Sequence, residues 1–361
     1  MERQEIHPDA RRGRGAVSND TGRFESERRV GFDDGWGDEV FRPRLATTLI
    51  RDTSRNIIAT NKSPDIEFDQ SINPYRGCEH GCAYCFARPS HAYLGYSPGL
   101  DFESKILYKP DAAELLRRSF DRKTYKPMVI ALGVNTDAYQ PAEKQLGISR
   151  SILQVMRDYS HPVCIVTKSY LVTRDIDLLS DLANDGLAKV MMSVTTLDRN
   201  LSRRMEPRAA TPERRLDAIH QLTRAGIPVG VLAAPMIPGL NDQELDNILA
   251  SACEAGASEA SYILLRLPLE LKQLWRQWLR ENYPDRERRV MEHVRTAHGG
   301  KDYDTRFHHR MRGSGPYAQL LMQRFQHAKK RLGLGKRSYR LDATKFARPA
   351  SKIASQQLSL L

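Results

Sequence analysis

The stretch NPYRGCEHGCAYCF, residues 73–86, places three cysteines, Cys78, Cys82 and Cys85, on one short segment with the spacing Cys-x3-Cys-x2-Cys. Iron–sulfur clusters are held by cysteine thiolates and usually use four of them. Because no fourth cysteine lies nearby in the sequence, a four-iron cluster held here would keep one iron open to another ligand. An open iron indicates chemistry at the cluster rather than electron storage alone.

Zinc and disulfides are the other common uses of cysteine. A structural zinc site needs four ligands, commonly two Cys-x2-Cys pairs, and His80 could supply the fourth ligand here. His80 lies between two of the cysteines, however, too close in sequence for the usual paired geometry. A disulfide framework fits less well, because five cysteines in 361 residues is an odd and sparse number. Cys164, in an apolar run, and Cys253, in a helical pattern, are expected to be small buried apolar side chains.

Length and composition predict one large α/β domain with appended segments, since 40% of the 361 residues are apolar. No apolar run approaches the roughly eighteen residues of a membrane span, and the Arg-rich N-terminus lacks a signal-peptide segment. We therefore expect a cytoplasmic protein without membrane attachment. Residues 271–361 hold 21 Lys and Arg against 7 Asp and Glu, which accounts for the net charge of +12. Such a concentration attracts polyanions, unless it is simply a solvated basic face.

Changes in composition divide the chain into four parts. Residues 1–56 are predicted to be a disordered arm, residues 57–270 a barrel-like core, residues 271–345 a basic, mainly helical extension, and residues 346–361 a flexible tail. The predicted strands of the core are Ile72–Arg76, Met128–Gly133, Val163–Thr167, Lys189–Val194, Pro228–Pro235 and Ala260–Arg266. The predicted helices are Asp111–Arg122, Glu143–Tyr159, Arg174–Asp185, Thr211–Ala225 and Gln243–Ala255, followed in the extension by an amphipathic helix from Leu271 and a helix around Tyr317–Leu332.

Strands that alternate with helices imply parallel βαβ units, and six right-handed units wind toward an open, partial (β/α)6 barrel. Functional residues of barrels come from the carboxyl ends of the strands. At those ends the sequence places Thr136 and Asp137 after the second strand, Lys168 after the third, and Ser193 in the fourth. Lys168 can pair with a carboxylate, Thr136 and Ser193 can donate or accept hydrogen bonds, and Asp137 can bind an ammonium or a ribose hydroxyl.

These features resemble the radical S-adenosylmethionine (SAM) superfamily, whose signature has this cysteine spacing with an aromatic residue, here Tyr84, before the last cysteine. Within it the chain is most similar to the spore photoproduct lyase-like branch, over about residues 60–300. The motifs that carry this resemblance are Asn73-Pro-Tyr-Arg-Gly-Cys78, the Thr136-Asp137 pair, Thr167-Lys-Ser169, and Glu206-Pro-Arg208 before Thr211-Pro-Glu-Arg-Arg-Leu216.

The resemblance implies a 4Fe-4S cluster on Cys78, Cys82 and Cys85, whose open iron binds the amino and carboxylate groups of SAM. One electron, passed on from an electron donor, would cleave SAM to a 5′-deoxyadenosyl radical that abstracts hydrogen from a substrate. The residues implied around SAM are Tyr84, Thr136, Asp137, Lys168, Ser193 and Arg208, with Glu206 as a further candidate.

One position departs from that branch. In the lyase itself, a cysteine just ahead of the polar pair after strand two returns a hydrogen atom to the product radical, whereas this chain has Asn135 there. The lyase's own reaction is therefore not expected. Tyr93, Tyr96 and Tyr139 are candidate hydrogen donors instead.

The C-terminal quarter suggests macromolecular partners. Residues 271–345 mix cations with aromatic rings, the components of a nucleic-acid groove, and include His308 and His309. The last five residues, Gln357–Leu361, resemble the pentapeptide by which bacterial repair and replication proteins dock on the sliding clamp. The sequence thus predicts a radical SAM enzyme whose substrate could be nucleic acid, in DNA repair or modification. The alternatives are a radical SAM enzyme with a small-molecule or protein substrate, and a zinc-dependent nucleic-acid-binding protein.

Overall fold

The computed structural model of the chain describes residues 11–28, 44–336 and 339–349. The strands are β1 (Thr48–Arg51), β2 (Ile58–Thr60), β3 (Gln70–Ile72), β4 (Tyr75–Arg76), β5 (Lys105–Tyr108), β6 (Ile130–Leu132), β7 (Val163–Thr167), β8 (Ala188–Ser193), β9 (Val229–Met236) and β10 (Glu259–Leu264). The α-helices are α1 (Asp101–Ser104), α2 (Ala112–Asp121), α3 (Glu143–Leu146), α4 (Ile148–Asp158), α5 (Ile176–Asn184), α6 (Arg199–Met205), α7 (Pro212–Arg224), α8 (Leu245–Glu254), α9 (Leu271–Asn282), α10 (Glu287–Ala297) and α11 (Gly315–Leu332).

Six parallel strands form the main sheet in the order β3, β6, β7, β8, β9, β10, and β2 adds an antiparallel strand beside β3. The spatial order of the six follows the chain order, with helices in the connections, as expected for right-handed crossover units. Val163 of β7, for example, lies beside Ile130 of β6 and Ala188 of β8. Within the described residues β2 and β10 do not pair with each other, so the sheet is an open one. The predicted partial (β/α)6 barrel is confirmed.

The core lies between this sheet and its helices. In β7, Val163 and Ile165 are buried and Cys164 between them is half-buried, as expected for a strand whose two faces differ in covering. In α4, Ile152 and Met156 are buried one helical turn apart. Burial of an aliphatic side chain of this size stabilises a fold by roughly 1.5–3 kcal/mol. The periodic apolar residues therefore fix α4 against the sheet.

Two predicted elements are divided in the structure. The helix predicted over Glu143–Tyr159 is split into α3 and α4 by Gly147, whose φ of 64° is left-handed and ends the first helix. The strand predicted over Ile72–Arg76 is split at Pro74, because proline has no N–H to continue a ladder. As a result β3 pairs with β6 in the main sheet, while β4 joins β5 and β1 in a second, three-stranded sheet.

Residues 11–28, called here the N-terminal segment, are held against the barrel, so the disorder predicted for residues 1–56 is wrong for this part of the arm. The Glu103 carboxylate accepts hydrogen bonds from the backbone N–H groups of Gly15 at 2.9 Å and Ala16 at 2.7 Å. Arg14 donates to the Glu103 carbonyl oxygen at 2.7 Å. Further along, β1 pairs with β5. Composition missed this order because it comes from hydrogen bonds to a buried carboxylate rather than from apolar burial.

The basic extension contains α9, α10 and α11. The predicted amphipathic helix is confirmed by α9, whose Trp275 and Trp278 are buried and stack with ring centroids 4.8 Å apart. In α11, the ring of Phe325 lies 4.8 Å from the ring of Tyr262 in β10, which attaches that helix to the barrel. Across the described ranges, no helix combines the length and the apolar character that a bilayer span requires.

Residues 339–349, called here the C-terminal strap, cross the barrel at the N-terminal ends of its strands. The backbone N–H of Asp342 donates to the Gly186 carbonyl oxygen just before β8, and that of Ala347 donates to the Tyr159 carbonyl oxygen just before β7. The side chain of Phe346 packs against four aromatic rings, those of Phe120, Tyr125, Tyr159 and His161. The flexibility predicted for residues 346–361 is therefore wrong for residues 346–349. Gln357–Leu361 lies outside the described residues.

Candidate active site

The cysteine loop, residues 77–88, is held in place through its backbone. Arg88 is wholly buried, donates from Nε to the Cys82 carbonyl oxygen at 2.9 Å, and forms an ion pair with the buried Glu103. The backbone N–H of Ala83 donates to the Met205 carbonyl oxygen at 2.9 Å, which ties the loop to the end of α6. These anchors involve no thiol group, so the thiol groups remain available as ligands.

Two glycines let the N-terminal segment lie directly on this loop. Gly81 has a φ of 65°, and a Cβ there would lie 2.6 Å from the Glu103 Oε2 atom. A Cβ on Gly15 would lie 1.7 Å from the Gly81 carbonyl oxygen. Any larger residue at Gly15 would therefore push the segment off the loop.

The three thiols share one buried electrostatic environment. Cys78 and Cys82 are buried and Cys85 is half-buried. Burial raises the pKa of Cys78 well above its usual range, and Asp137 and the other two thiols add to the rise. Burial also raises the pKa of Cys82 to about 12, although Lys168 opposes this. Metal binding replaces such protons, and a cluster of soft thiol ligands suits iron–sulfur chemistry, so the residues fit an iron–sulfur cluster.

His80 points to a carboxylate. Its Nδ1 atom lies 3.4 Å from Oδ2 of Asp137, and the side chain is almost wholly buried. Among the residues that the structure describes, no three His, Cys, Asp or Glu side chains form a group suited to a single metal ion.

Asp137 joins the cysteine loop to the carboxyl end of β7. Its carboxylate accepts hydrogen bonds from Thr167 Oγ1 at 2.7 Å and from the backbone N–H groups of Tyr139 and Lys168, each at 2.9 Å. Burial favours the neutral acid, but the neighbouring His80 and Lys168 outweigh burial and hold the pKa of Asp137 well below its usual range. With three donors around its two oxygens, this carboxylate positions its neighbours.

Glu206 makes the matching connection near the end of β8. It accepts hydrogen bonds from the Tyr84 hydroxyl and from Thr195 Oγ1, the latter at 2.8 Å, and forms an ion pair with Arg215. Both partners of the ion pair are buried. Burial would raise the pKa of Glu206, but Arg215 and Lys168 outweigh it and lower the pKa to about 2. An ionised carboxylate therefore fixes the ring of Tyr84 within the cysteine loop.

Lys168 lies under the influence of both carboxylates. Burial opposes its charge, but Cys82, Glu206 and Asp137 outweigh burial and raise the pKa of its ammonium group. In the described part of the chain, the ammonium makes no hydrogen bond or ion pair, so its charge is available to a ligand. Ser193, at the carboxyl end of β8, is buried, and its carbonyl oxygen accepts a hydrogen bond from Arg215 at 3.2 Å.

Thr136 and Arg208 lie at the edges of this site. The Thr136 hydroxyl donates to the Tyr75 carbonyl oxygen at 2.7 Å, which ties the loop after β6 to β4. Arg208 forms an ion pair at 3.1 Å with Glu79 of the cysteine loop and keeps a side-chain exposure of 35%. Arg208 therefore covers the loop from the solvent side.

The three candidate tyrosines are not brought together. Tyr139 is wholly buried in the barrel core, where its hydroxyl donates to Asp175 at 3.1 Å. Tyr93 is 67% exposed and packs against the ring of Phe24 in the N-terminal segment. Tyr96 is half-buried against Lys105, whose ammonium lies 4.6 Å from the ring centroid. Of the three, Tyr139 is enclosed by the core and its hydroxyl is already bound.

Sequence reasoning missed the residues that hold the loop. Glu103 is separated along the chain from the motif that it supports, and the motif Thr211–Leu216 gives no role to Arg215 by itself. The available signal was the position of an arginine three residues after Cys85 and of another in the motif that follows Glu206. Their partners become visible only in the folded chain.

A family model of the radical SAM superfamily matches residues 72–252, half of the chain, from β3 into α8. Among curated proteins, the uncharacterized protein Rv2578c of Mycobacterium tuberculosis is 34% identical over 232 residues, which cover 63% of this chain and 68% of that protein. The uncharacterized protein MJ0683 of Methanocaldococcus jannaschii is 29% identical over 238 residues, which cover 66% of this chain and 84% of that protein.

Two solved structures of spore photoproduct lyase share the fold. One, a double mutant with bound AdoMet and dinucleoside spore photoproduct, has a TM-score of 0.57 at 13% identity, and covers 79% of this chain and 78% of its own. The other, complexed with dinucleoside spore photoproduct, has a TM-score of 0.56 at 14% identity, with 79% of each chain covered. The predicted similarity to that branch is confirmed in the fold. The family model and the fold together show that this chain belongs to the radical SAM superfamily and is an enzyme of that superfamily.

Proposed function

We propose that the protein holds a 4Fe-4S cluster on Cys78, Cys82 and Cys85, binds SAM beside it, and abstracts a hydrogen atom from nucleic acid. The superfamily uses SAM and an iron–sulfur cluster, and the bound cluster supplies the electron for reductive cleavage of SAM. One observation carries the proposal: the loop that bears the three thiols is bound to polar residues at the carboxyl ends of the barrel strands.

SAM carries a carboxylate, an ammonium and an adenosine, and the strand ends beside the cysteine loop offer it charged and hydroxyl groups. Lys168 is the partner for the carboxylate, because its ammonium is charged and uncommitted among the described residues. Asp137 holds the backbone at Lys168 in place through the 2.9 Å hydrogen bond from its N–H. Ser193 and Thr136 supply hydroxyl groups at neighbouring strand ends.

Nucleic acid is proposed as the substrate on two grounds. The chain from residue 271 onward carries the whole positive excess, with 21 Lys and Arg against 7 Asp and Glu. The spore photoproduct lyase structures that share the fold contain a dinucleoside photoproduct. Cations neutralise phosphates, and association releases condensed counterions. Because Asn135 replaces the hydrogen-returning cysteine, the reaction on that substrate differs from the lyase's own.

The test is reductive SAM cleavage by protein reconstituted with iron and sulfide under anaerobic conditions. After reduction, we expect 5′-deoxyadenosine and methionine, measured by chromatography. Cys78→Ala, Cys82→Ala and Cys85→Ala should each abolish cluster absorbance and cleavage. The matched controls are Cys164→Ala and Cys253→Ala, which remove thiols in β7 and α8, outside the cysteine loop.

Cleavage that persists in Cys82→Ala contradicts the assignment. Metal analysis of the anaerobically purified protein separates the zinc alternative: about four iron and four sulfide per chain support the cluster, whereas a single zinc supports a zinc-dependent nucleic-acid-binding protein. A wild-type protein that cleaves SAM but binds no DNA or RNA at low salt favours the small-molecule or protein substrate.

A further inference from the structure

A cavity of about 330 Å³ opens beside the cysteine loop and is lined by five arginines. The N-terminal segment contributes Arg11, Arg12 and Arg14, and α6 contributes Arg203 and Arg204. The buried Trp278 of α9 closes the remaining side. We call this the arginine cavity.

The guanidinium groups of the arginine cavity are only partly neutralised. Arg14 donates to backbone carbonyl oxygens at Glu103 and Leu45, and Arg11 pairs with Glu281 at 2.6 Å. The remaining three have no acidic partner within the described ranges: Arg204 donates to the Asn282 carbonyl oxygen, and Arg12 and Arg203 make no hydrogen bond or ion pair. No described residue in the lining is acidic. Three cations without an acidic partner leave an excess of positive charge in a small volume.

Of the five arginines, only Arg14 is buried. Burial, and after it the nearby Arg208, lower the pKa of Arg14, although Glu103 and Glu79 oppose this. Arg12, Arg203 and Arg204 are themselves exposed, so they can reach a ligand that enters from solvent. An anion in the cavity would relieve the mutual repulsion of these groups.

The arginine cavity adjoins the candidate active site. Gly15, in its lining, lies against Gly81 between Cys78 and Cys82. The helix α6 that carries Arg203 and Arg204 is hydrogen-bonded to the cysteine loop through Ala83 and leads directly into Glu206. A group bound in the arginine cavity would therefore lie beside the cysteine loop.

We propose that the arginine cavity binds a backbone phosphate of a nucleic-acid strand and so positions the reacting nucleotide next to the cysteine loop. This rests on the proposed function, since it assumes a nucleic-acid substrate. Arginine binds phosphate oxygens through a planar fork of donors, and several forks facing one space suit a tetrahedral anion. A volume near the lower end of ligand pockets suits one phosphate with its sugar rather than a duplex.

The experiment uses the full-length reconstituted protein and a fluorescently labelled single-stranded oligonucleotide, titrated over a range of salt concentrations. The variant is Arg12→Ala with Arg203→Ala. The control is Arg55→Ala with Arg224→Ala, which removes the same charge from two exposed arginines elsewhere on the surface. Iron content and thermal unfolding of each protein verify that it is folded.

We expect the cavity variant to bind at least about tenfold more weakly than the control variant. Its slope of log affinity against log salt should be shallower by about 0.7 for each single-strand phosphate that the variant no longer neutralises. Arg12→Lys with Arg203→Lys should keep the charge but remove the fork, and should restore only part of the affinity.

The outcomes separate this inference from the proposed function. If the wild-type protein binds no oligonucleotide at low salt, the nucleic-acid substrate fails, and this inference fails with it. If the wild type binds but the cavity and control variants have equal affinity and slope, only the arginine cavity is wrong. If a 5′-mononucleotide or inorganic phosphate competes as well as an unlabelled oligonucleotide of equal phosphate concentration, the cavity takes a small phosphorylated ligand, and the nucleic-acid assignment of the cavity is overturned.

Discussion

Two buried carboxylates, Asp137 and Glu206, hold the cysteine loop at two positions. Asp137 faces His80, and Glu206 binds the hydroxyl of Tyr84. Glu206 also forms a buried ion pair with Arg215. Removing one partner of such a pair commonly costs about 3–5 kcal/mol, because the other charge is left uncompensated. We therefore interpret both carboxylates as positioning residues whose charges set the potential at Lys168.

Replacing Lys168 tests the contact with SAM. Lys168→Ala should weaken SAM binding about ten- to a hundredfold, the effect expected for a hydrogen bond between charged groups. Iron content should not change, because an ammonium is not a cluster ligand. Isothermal titration of SAM into the reconstituted variant measures the effect, with Lys144→Ala on α3 as an exposed control. Wild-type affinity in Lys168→Ala would exclude Lys168 from the pocket.

At the scale of elements, the sequence predicted the strands that follow from local runs of apolar residues. The apolar runs at Val163–Thr167 and Lys189–Val194 correspond to β7 and β8, within one residue at each end. Because parallel strands end at one edge of the sheet, the polar residues that follow them could be placed together from the sequence alone.

What sequence did not predict depends on contacts between distant segments. Glu103 orders Gly15 and Ala16 from 88 and 87 positions away, and no local pattern carries that information. The arginine cavity was missed for the same reason: two of its walls, the N-terminal segment and α6, are far apart in the chain. The break of the helix at Gly147 also depends on tertiary structure, since an isolated glycine inside a helical pattern is often tolerated.

The aromatic cluster under the C-terminal strap should make stability depend on pH. His161 stacks on Phe120 with ring centroids 4.4 Å apart, and burial lowers its pKa from 6.5 to about 4. Well above pH 6.5 the imidazole is neutral in both states and its contribution to stability is complete. As the pH falls toward 4, the unfolded chain takes up a proton that the folded chain cannot, so stability decreases by at most about 1.4 kcal/mol per pH unit.

Guanidinium unfolding at pH 6.5 and pH 5 measures this contribution. The decrease in unfolding free energy between the two pH values should be smaller in His161→Gln than in the wild type by about 1.5 kcal/mol. His91, which is also buried with its pKa lowered to about 4, titrates in both proteins and cancels in the difference. Equal pH dependence in the two proteins would show that His161 is not the titrating group.

For the whole molecule, the charge of the extension is less available than its composition suggests. Arg276 pairs with Asp302, Arg310 with Asp65, and Arg324 with Asp246. The cations that stay without an acidic partner within the described ranges include Lys329, Lys330 and Arg331, which lie in the last turn of α11. The basic surface offered to a polyanion is therefore narrower than residues 271–345 as a whole.

Reversing those three charges should reduce salt-sensitive binding. The triple variant Lys329→Glu, Lys330→Glu and Arg331→Glu should bind DNA more weakly at low salt, with a log–log salt slope shallower by about 0.9 for each duplex phosphate left without its cation. Fluorescence anisotropy across a salt series measures both quantities. Reversal of three exposed cations elsewhere on the surface, Arg55, Lys144 and Arg224, is the control. An equal effect there would indicate net charge rather than a local contact.

The terminal pentapeptide is testable separately. Deletion of Gln357–Leu361 should abolish recovery of the bacterial sliding clamp in a pull-down with purified components, and should spare nucleic-acid affinity, because those residues carry no charged side chain. The comparison needs the full-length protein as its reference. Equal clamp recovery with and without the five residues would make the motif a coincidence.

The C-terminal strap also fixes the position of residue 349, from which a stretch of chain leads to the terminal pentapeptide. It passes along the edge where the strands start, beside Tyr159 and Gly186, whereas the cysteine loop and Lys168 belong to the edge where the strands end. Eight residues lead from residue 349 to Gln357, a reach of at most about 28 Å when fully extended. A sliding clamp bound at Gln357–Leu361 would therefore be tethered from the edge of the barrel opposite to the cysteine loop.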